Sequence, residues 1–368
     1  MHLIRIISRI IVGITFIFSG FVKGVDPMGT MYKIEDYLVA YNMDWALPAA
    51  LFFSFLLVTI EFAIGIFLLL NLRIKQITWA LLVMMSFFTV VTLFDALYKP
   101  VPDCGCFGEA IKLTNWETFY KNVVLLGFTF IIFFTPRSKK VILSRKKQDT
   151  VGSLFILAFV LFSYYSYTNL PPVDFRDWKE GKNMKQEGKE KYYLIYENKS
   201  TGETKKYRSS KIPYNDSAWM KNWEFVKQKI DYSEVKRKHD LQIVDFKGTD
   251  VTQDIIENPG YQFVITAYSF DEASEDGLEK SVALYQKLES KGYEFVLLTS
   301  VLKEDAEIFH EKYNTSLPVY QADDIELKSM IRSNPGLILL KNGVVKEKWH
   351  YSNFPGSKEI LNHYPINQ

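Results

Sequence analysis

Four apolar runs in the first part of this chain are each long enough to cross the hydrocarbon core of a bilayer, which takes about 20 residues of α-helix. They occupy residues 3–22, 46–70, 77–97 and 116–134, and a shorter fifth run at 151–167 is still within the spanning range. The first run lacks the small-x-small cleavage site of a signal peptide and is followed by further spans, so we interpret it as a retained helix. The sequence therefore predicts an α-helical membrane bundle of four helices, followed by a fifth transmembrane helix.

Lysine and arginine collect at three places along these runs. Arg5 and Arg9 lie near the N-terminus, Arg73 lies in the turn between the second and third spans, and residues 136–147 carry six basic residues and no acidic one. With five spans all three places fall on one side, which the positive-inside rule assigns to the cytoplasm. We therefore expect a multi-pass protein of the bacterial inner membrane with a cytoplasmic N-terminus. The loop between the third and fourth spans, and everything after residue 167, are expected in the periplasm.

The charge balance excludes one class of partner. The chain has 44 basic and 42 acidic residues, for a net charge of +2, and no basic stretch alternates with aromatic residues. A nucleic acid is therefore not an expected partner, whereas membrane lipid is.

The periplasmic loop before the fourth span reads PDCGCFGEA at residues 102–110 and holds the two cysteines of the chain, Cys104 and Cys106. A disulfide between them would close almost no loop and so would stabilise the fold little. Gly105 permits the bend that such a bond requires, and strained or exposed disulfides are the labile kind. The pattern favours a redox pair over structural or incidental cysteines. No metal site is expected, because no histidine or third cysteine lies within ten residues.

Charged residues near the two thiols have opposing effects on their pKa values. Asp103 and Glu109 would raise a thiol pKa, whereas Lys99 and Lys112 would lower it. The local sequence therefore does not indicate which thiol is activated.

Three ionisable residues are expected at membrane depth, where such groups are functional candidates. Glu61 lies inside the second span and is expected to pair with Lys23 or Arg9. Asp95 lies near the outer end of the third span, where simple solvation at the interface is the favoured interpretation.

An amphipathic helix is predicted in the first outer loop. Ile34, Tyr37, Leu38 and Tyr41 follow the i, i+3, i+4, i+7 spacing of one helix face. We expect this helix to lie on the membrane surface over the outer mouth of the bundle, in a packing role.

Several of these segments together resemble the DoxX/MauE family of small membrane proteins, over about residues 1–140. The resemblance rests on RIIVGITFIFSGFVKGVDP, IEFAIGIFLLL and the DCGCFG loop. It implies thiol–disulfide or quinone-linked redox chemistry, and it marks Lys23, Glu61, Cys104 and Cys106. Electrons would pass either to a quinone or to a partner protein, because no further cysteine is available to relay them.

The polar part of the chain begins with a predicted β-hairpin at 191–208, and residues 214–240 are expected to be partly helical. From residue 241 onward strands and helices alternate, and the chain ends with two strands joined by Asn342-Gly343, a strong hairpin signal. This order resembles the thioredoxin fold over 241–368, with Pro335 at the position of its cis-proline.

The C-terminal domain departs from the thioredoxin pattern at the expected catalytic motif. The Cys-x-x-Cys is replaced by YSFDEASED at residues 268–276, so the domain cannot exchange disulfides itself. Two roles remain: a rigid scaffold, or the docking of a thiol-bearing periplasmic client or partner. The docking residues predicted for the second role are Tyr268, Ser269, Phe270, Asp271 and Pro335.

These observations predict five segments: a four-helix membrane domain at 1–135, a basic cytoplasmic loop at 136–150, a fifth transmembrane helix at 151–167, a periplasmic connector at 168–240 and a redox-inactive thioredoxin-like domain at 241–368. The leading hypothesis is an inner-membrane thiol–disulfide protein that uses the Cys-Gly-Cys pair. The alternative is a non-catalytic membrane scaffold that presents the periplasmic domain. A transporter is disfavoured, because no inverted repeat or broken helix pair is visible.

Overall fold

The computed structural model describes residues 2–135, 144–188, 191–231 and 238–366. Its membrane part contains helices α1 (His2–Val25), α2 (Pro27–Ala40), α3 (Ala50–Leu69), α4 (Ile74–Tyr98), α5 (Asn115–Phe134) and α6 (Arg145–Thr168). All of these except α2 lie in segments that are long and apolar enough to cross a membrane, which confirms the five predicted spans. Helix α2 is the predicted amphipathic helix of the first outer loop.

Close packing of α1 on α3 depends on glycines that let the two backbones touch. A Cβ atom on Gly20 would lie 2.8 Å from the backbone nitrogen of Phe62, and one on Gly65 would lie 2.7 Å from the backbone nitrogen of Ile17. Small residues commonly permit such contact between membrane helices. The contact brings the outer half of α1 against the middle of α3, where Glu61 lies.

The basic ends of three helices meet at one end of the bundle. Arg9 Nη1 donates to Asn71 Oδ1 at 2.5 Å, and the guanidinium of Arg73 pairs with Asp149 at the start of α6. The cysteine loop contacts the opposite end of α1. Of the predicted basic loop, residues 136–143 lie outside the described residues, and α6 begins at Arg145 rather than at 151.

The C-terminal domain is a mixed α/β domain with one six-stranded sheet. Its elements are β4 (Ile243–Val244), α8 (Thr252–Ile256), β5 (Tyr261–Thr266), α9 (Glu275–Glu289), β6 (Glu294–Thr299), α10 (Lys303–Tyr313), β7 (Val319–Ala322), α11 (Asp324–Met330), β8 (Gly336–Lys341), β9 (Val344–His350) and α12 (Ser357–His363). The strand order is β4-β7-β6-β5-β8-β9. Strands β5, β6 and β7 are parallel, whereas β8 and β9 are antiparallel to their neighbours.

This arrangement is the thioredoxin-like fold predicted from the order of elements. The bond between Asn334 and Pro335 is cis, and Asn342 and Gly343 both have positive φ, at 51° and 78°. Both features lie where the sequence predicts them, since paired positive φ angles are typical of a two-residue hairpin turn.

The C-terminal domain starts earlier in the chain than predicted. Trp178 and Met184 are fully buried in the core on one face of its sheet. The Met184 N–H donates to the Gly343 carbonyl at 2.7 Å. Part of the predicted connector at 168–240 therefore belongs to this domain, because its apolar side chains complete the domain's core.

A small sheet of order β2-β1-β3 occupies the rest of the connector. It consists of β1 (Lys191–Asn198), β2 (Thr204–Arg208) and β3 (Trp223–Asp231), with the short helix α7 (Ser217–Asn222) before β3. Strands β1 and β2 form the predicted hairpin. The partly helical prediction for 214–240 holds only for α7 among the described residues, because β3 pairs along the free edge of β1 and tertiary pairing overrides local propensity.

Candidate functional site

The two thiols face each other across a tight turn between α4 and α5. Cys104 Sγ and Cys106 Sγ lie 3.3 Å apart, and both are partly buried free cysteines. Gly105 between them has φ of +62°, a conformation that glycine adopts without the penalty other residues incur. Its N–H donates to Asp103 Oδ1 at 2.9 Å. The turn therefore holds the two sulfurs close together, as the Cys-Gly-Cys spacing predicts.

A buried ion pair lies directly beneath the cysteine turn. Lys23 Nζ on α1 and Glu61 Oε1 on α3 are 2.6 Å apart, and both side chains are almost fully buried. The Ser19 hydroxyl lies 2.9 Å from Glu61 Oε2 and 2.7 Å from the Cys106 carbonyl oxygen, so it can donate to either. The predicted Glu61–Lys23 contact is confirmed. Arg9, the other predicted partner, binds Asn71 instead.

The surroundings shift the two thiol pKa values in opposite directions. The hydrogen bond from Cys104 outweighs burial and, with the positive charges of Lys121 and Lys23, lowers the pKa of Cys106 to about 6. The same thiol–thiol hydrogen bond and burial raise the pKa of Cys104. At neutral pH the pair is thus a Cys106 thiolate that accepts a hydrogen bond from a Cys104 thiol.

The lysines that act on the thiols are not the ones that the local sequence suggested. Lys121 comes from α5 and Lys23 from α1, whereas Lys99 is exposed and Lys112 forms ion pairs with Glu109 and Asp177. The local sequence could not indicate which thiol is activated, because helices distant in sequence supply the positive charge.

Asp95 is also placed differently from its prediction. Its side chain is fully buried rather than solvated at the interface. Asp95 Oδ2 accepts a hydrogen bond from the Tyr37 hydroxyl at 2.6 Å, while Oδ1 is buried and has no partner in the described part of the chain. The Tyr37 hydroxyl also lies beside Cys104 and interacts with it. Helix α2 therefore connects the cysteine turn to a carboxylate in the bundle and has more than a packing role.

A largely apolar cavity of about 560 Å³ opens beside the cysteine turn. Helices α1 to α5 line it, together with residues 171–176 that follow α6. Its apolar wall includes Phe16, Leu57, Met85, Phe88 and Leu125. Its polar end carries both cysteines, Lys23, Glu61 and Lys121. The arrangement places a nucleophilic thiol pair at the polar end of an apolar chamber inside the membrane bundle.

The soluble domain is seated on α2 through the region that precedes its cis-proline. Arg332 Nε lies 3.0 Å from each carboxylate oxygen of Asp26, the residue that caps the N-terminus of α2. Burial alone would raise the pKa of Asp26, but Arg332, Arg176 and the Gly29 N–H outweigh it and lower that pKa. This buried pair joins the two domains beside the cavity.

The residues predicted to dock a partner differ in burial and in the parts of the chain that they contact. Tyr268 is buried and its hydroxyl lies 3.2 Å from that of Tyr32 on α2. Pro335 is also buried, Phe270 stacks on Phe309, the Ser269 carbonyl accepts from Asn334, and Asp271 is exposed. The docking role stays a prediction, and in this conformation Tyr268 faces the chain's own membrane domain.

Sequence reasoning missed several residues of this site. No pattern in the neighbouring sequence identifies Ser19, Lys121 or the pair Asp26–Arg332. Each of them contacts an element that is distant in the chain. Tyr37 was recognised on the apolar face of a helix, and its hydroxyl group indicated that it could also form hydrogen bonds.

Comparisons with known proteins found similarities to the membrane part and to other parts of the chain. Residues 1–135 match the family described as "Methylamine utilisation protein MauE". Protein TlpB of Flavobacterium psychrophilum is 26% identical over 173 residues, which are 44% of this chain and 47% of that protein. The chain thus spans about half the length of this curated relative. A solved structure of a proposed protein disulfide isomerase from Bacteroides thetaiotaomicron covers 33% of this chain and 79% of its own, at 11% identity and a TM-score of 0.26.

Proposed function

We propose that this MauE-like membrane protein with a thioredoxin-like domain is a thiol–disulfide oxidoreductase whose exchanging pair is Cys104 and Cys106. The similarity to MauE and to Protein TlpB supports a membrane redox-related role, and we propose the cysteine pair as its centre. The observation that carries it is the 3.3 Å sulfur–sulfur distance at the polar end of an apolar membrane cavity. The low pKa of Cys106 gives that pair a ready nucleophile at neutral pH.

The chemistry is a two-electron oxidation of two thiols. When the S–S bond forms, the Cys106 thiolate and the Cys104 thiol together release two electrons and one proton. The reverse reaction, reduction of the disulfide, consumes the same electrons and proton. Lys23 and Lys121 stabilise the thiolate form, and the buried Glu61 holds Lys23 in position.

A quinone fits the cavity as the electron acceptor. Its ring and tail would be held by the apolar wall formed by Phe16, Leu57, Met85 and Phe88, and its polar ring oxygens would find Lys23 or Lys121 at the other end. A quinone supplies a two-electron, two-proton acceptor that diffuses within the bilayer. A partner protein remains the alternative acceptor.

The charge distribution supports an orientation. Arg9, Arg73 and Arg145 mark one end of the bundle, and the cysteine turn and the soluble domain lie towards the other. Under the positive-inside rule the basic end is cytoplasmic. We therefore place the thiol pair and the C-terminal domain in the periplasm of a bacterial inner membrane, where disulfides persist.

In this proposal the thioredoxin-like domain fixes the position of α2 and does not itself carry electrons. Arg332 binds Asp26 at the start of α2, and Tyr268 contacts Tyr32 nearly two turns further along. The domain thereby fixes the helix that carries Tyr37 beside Cys104. A client with a thiol or disulfide would reach the cysteine pair from the periplasmic side of the cysteine turn.

The test uses the reduced full-length protein in lipid nanodiscs, mixed with a short-chain soluble quinone. We expect loss of both thiols and formation of one quinol per chain, and no reaction in Cys104→Ser/Cys106→Ser. Leu57→Trp, which fills the cavity, should slow oxidation by quinone but not by a small disulfide. The matched control is Leu70→Trp, at an exposed position outside the cavity lining.

Each outcome separates one hypothesis from the others. Oxidation by disulfides but not by quinone would point to a partner protein as acceptor. Thiols that react with neither, in a protein whose double serine variant keeps its function in cells, would favour the non-catalytic scaffold.

A further inference from the structure

Closing the disulfide requires a place for the proton of Cys104. Cys106 reacts as a thiolate, whereas the hydrogen bond to Cys106 and burial keep Cys104 protonated by raising its pKa. Even an ordinary cysteine, with a pKa of about 8.5, is only a few per cent thiolate at pH 7. Without a base nearby, the second half of the reaction would therefore be slow.

A short chain of polar groups leads from Cys104 into the bundle. Cys104 interacts with the adjacent Tyr37 hydroxyl, and that hydroxyl donates to Asp95 Oδ2 at 2.6 Å. Asp95 is fully buried, and its other carboxylate oxygen has no hydrogen-bond partner among the residues that the structure describes. A buried carboxylate oxygen left without a partner is costly, and protonation of Asp95 relieves that cost.

Glu61, the other buried carboxylate of the cavity, is not placed to serve as this base. Its Oε1 is bound by Lys23 and its Oε2 is contacted by Ser19, so both oxygens are already engaged and the charge is neutralised. Asp95 has no ion-pair partner within the part of the chain that the structure describes, which leaves its carboxylate free to accept a proton.

We propose that Tyr37 and Asp95 form a proton relay that takes the proton of Cys104 as the disulfide closes. This inference rests on the proposed function above. Cys106 first attacks an external disulfide and forms a mixed disulfide, releasing one thiolate. The Cys104 proton then moves to the Tyr37 oxygen while the Tyr37 proton moves to Asp95. The Cys104 sulfur attacks Cys106, the S–S bond forms, and the second external thiolate leaves and takes a proton from water.

The order of events agrees with the hydrogen bonds around the turn. Before reaction the Cys104 thiol donates to the Cys106 thiolate. Once Cys106 is in a mixed disulfide it is no longer an anion, so Cys104 is free to donate to Tyr37.

The other groups that face the relay are Lys23 from α1, Tyr41 from α2 and Asn115 from α5. Lys23 favours the Cys104 thiolate, Tyr41 ends α2 near Asp95, and Asn115 binds the Asp95 backbone carbonyl.

The experiment follows the reduced full-length protein in nanodiscs after mixing with 2-hydroxyethyl disulfide, using mass spectrometry to count mixed disulfide and closed disulfide. Tyr37→Phe and Asp95→Asn should form the mixed disulfide at the wild-type rate and then close it about 100-fold more slowly at pH 7. The deficit should shrink as pH rises, because hydroxide replaces the relay. Cys104→Ser traps the mixed disulfide completely and provides the reference mass.

Tyr41→Phe is the matched control, since its ring stacks beside Tyr37, and it should close the disulfide normally. Asp95→Glu should restore part of the rate. A normal first step shows that a variant is folded, so a selective loss of the second step is not a folding defect. Closure at the wild-type rate in both Tyr37→Phe and Asp95→Asn would overturn the relay. Failure of the wild-type protein to close the disulfide at all would instead overturn the proposed function.

Discussion

The low pKa of Cys106 predicts a specific pH profile for its alkylation. With a pKa of about 6, about nine-tenths of Cys106 is thiolate at pH 7, against about one-hundredth for a thiol at the ordinary value of 9.0. Alkylation of the reduced protein by iodoacetamide should therefore rise between pH 5 and pH 7 and level off above, with a midpoint near 6. Peptide mass spectrometry assigns the modified sulfur, and Cys104 should react only at higher pH.

The causes of the low pKa can be separated by substitution. Cys104→Ala removes the hydrogen bond that is the largest contribution, so the Cys106 midpoint should move furthest upward, towards 9. Lys121→Met removes one positive charge and should move it less. Lys99→Met, at an exposed lysine of the adjacent helix end, is the matched control and should leave it unchanged. A wild-type midpoint near 9, or equal shifts in the Lys121 and Lys99 variants, would refute the electrostatic account of this thiol.

Two further predictions concern helix packing and domain docking. Gly20→Ala should destabilise the bundle by about 1–3 kcal/mol and lower the thermal midpoint, because its Cβ meets the Phe62 backbone. Gly127→Ala is the control, since nothing lies within 4 Å of a Cβ there, and an equal loss would contradict the packing argument. Asp26→Asn should weaken docking of the soluble domain by about 3 kcal/mol, measured as faster hydrogen exchange in α2. Because the pKa of Asp26 is lowered from 3.8, the pair stabilises docking above that pH and is lost as pH falls through the lowered value, so wild type and variant should converge in acid. A difference that persists at low pH would exclude the charged pair.

The sequence was sufficient for features that depend on local pattern. Span length predicted five membrane helices, alternation and turn residues predicted the β-hairpins, and the order of elements predicted the thioredoxin-like domain. Cys104 and Cys106 could be singled out because their spacing alone suggests redox chemistry. The Glu61–Lys23 pair was predictable because a membrane glutamate needs a partner and few cations lie at that depth.

The remainder depends on contacts between distant segments. From the sequence, Asp95 is expected at the membrane interface. Its carboxylate is buried because α2 lies above it, and the sequence does not show that position. Lys121 lowers the pKa of Cys106 from a helix that starts nine residues after the cysteine turn, so the charges next to the cysteines do not indicate which thiol is activated. Trp178 lies in a polar, proline-containing segment, and no local periodicity indicates that it completes a domain core. The Asp26–Arg332 pair joins residues 306 positions apart, which a single sequence cannot reveal.

The central claim is that Cys104 and Cys106 exchange electrons as a pair in the membrane. The most direct measurement is their redox state in intact cells, obtained by acid quenching and alkylation with a bulky thiol reagent before and after a pulse of reductant. The account predicts that the pair is reduced by the pulse and promptly reoxidised, and that blocking respiration slows the reoxidation. Thiols whose state does not change throughout the pulse would contradict it.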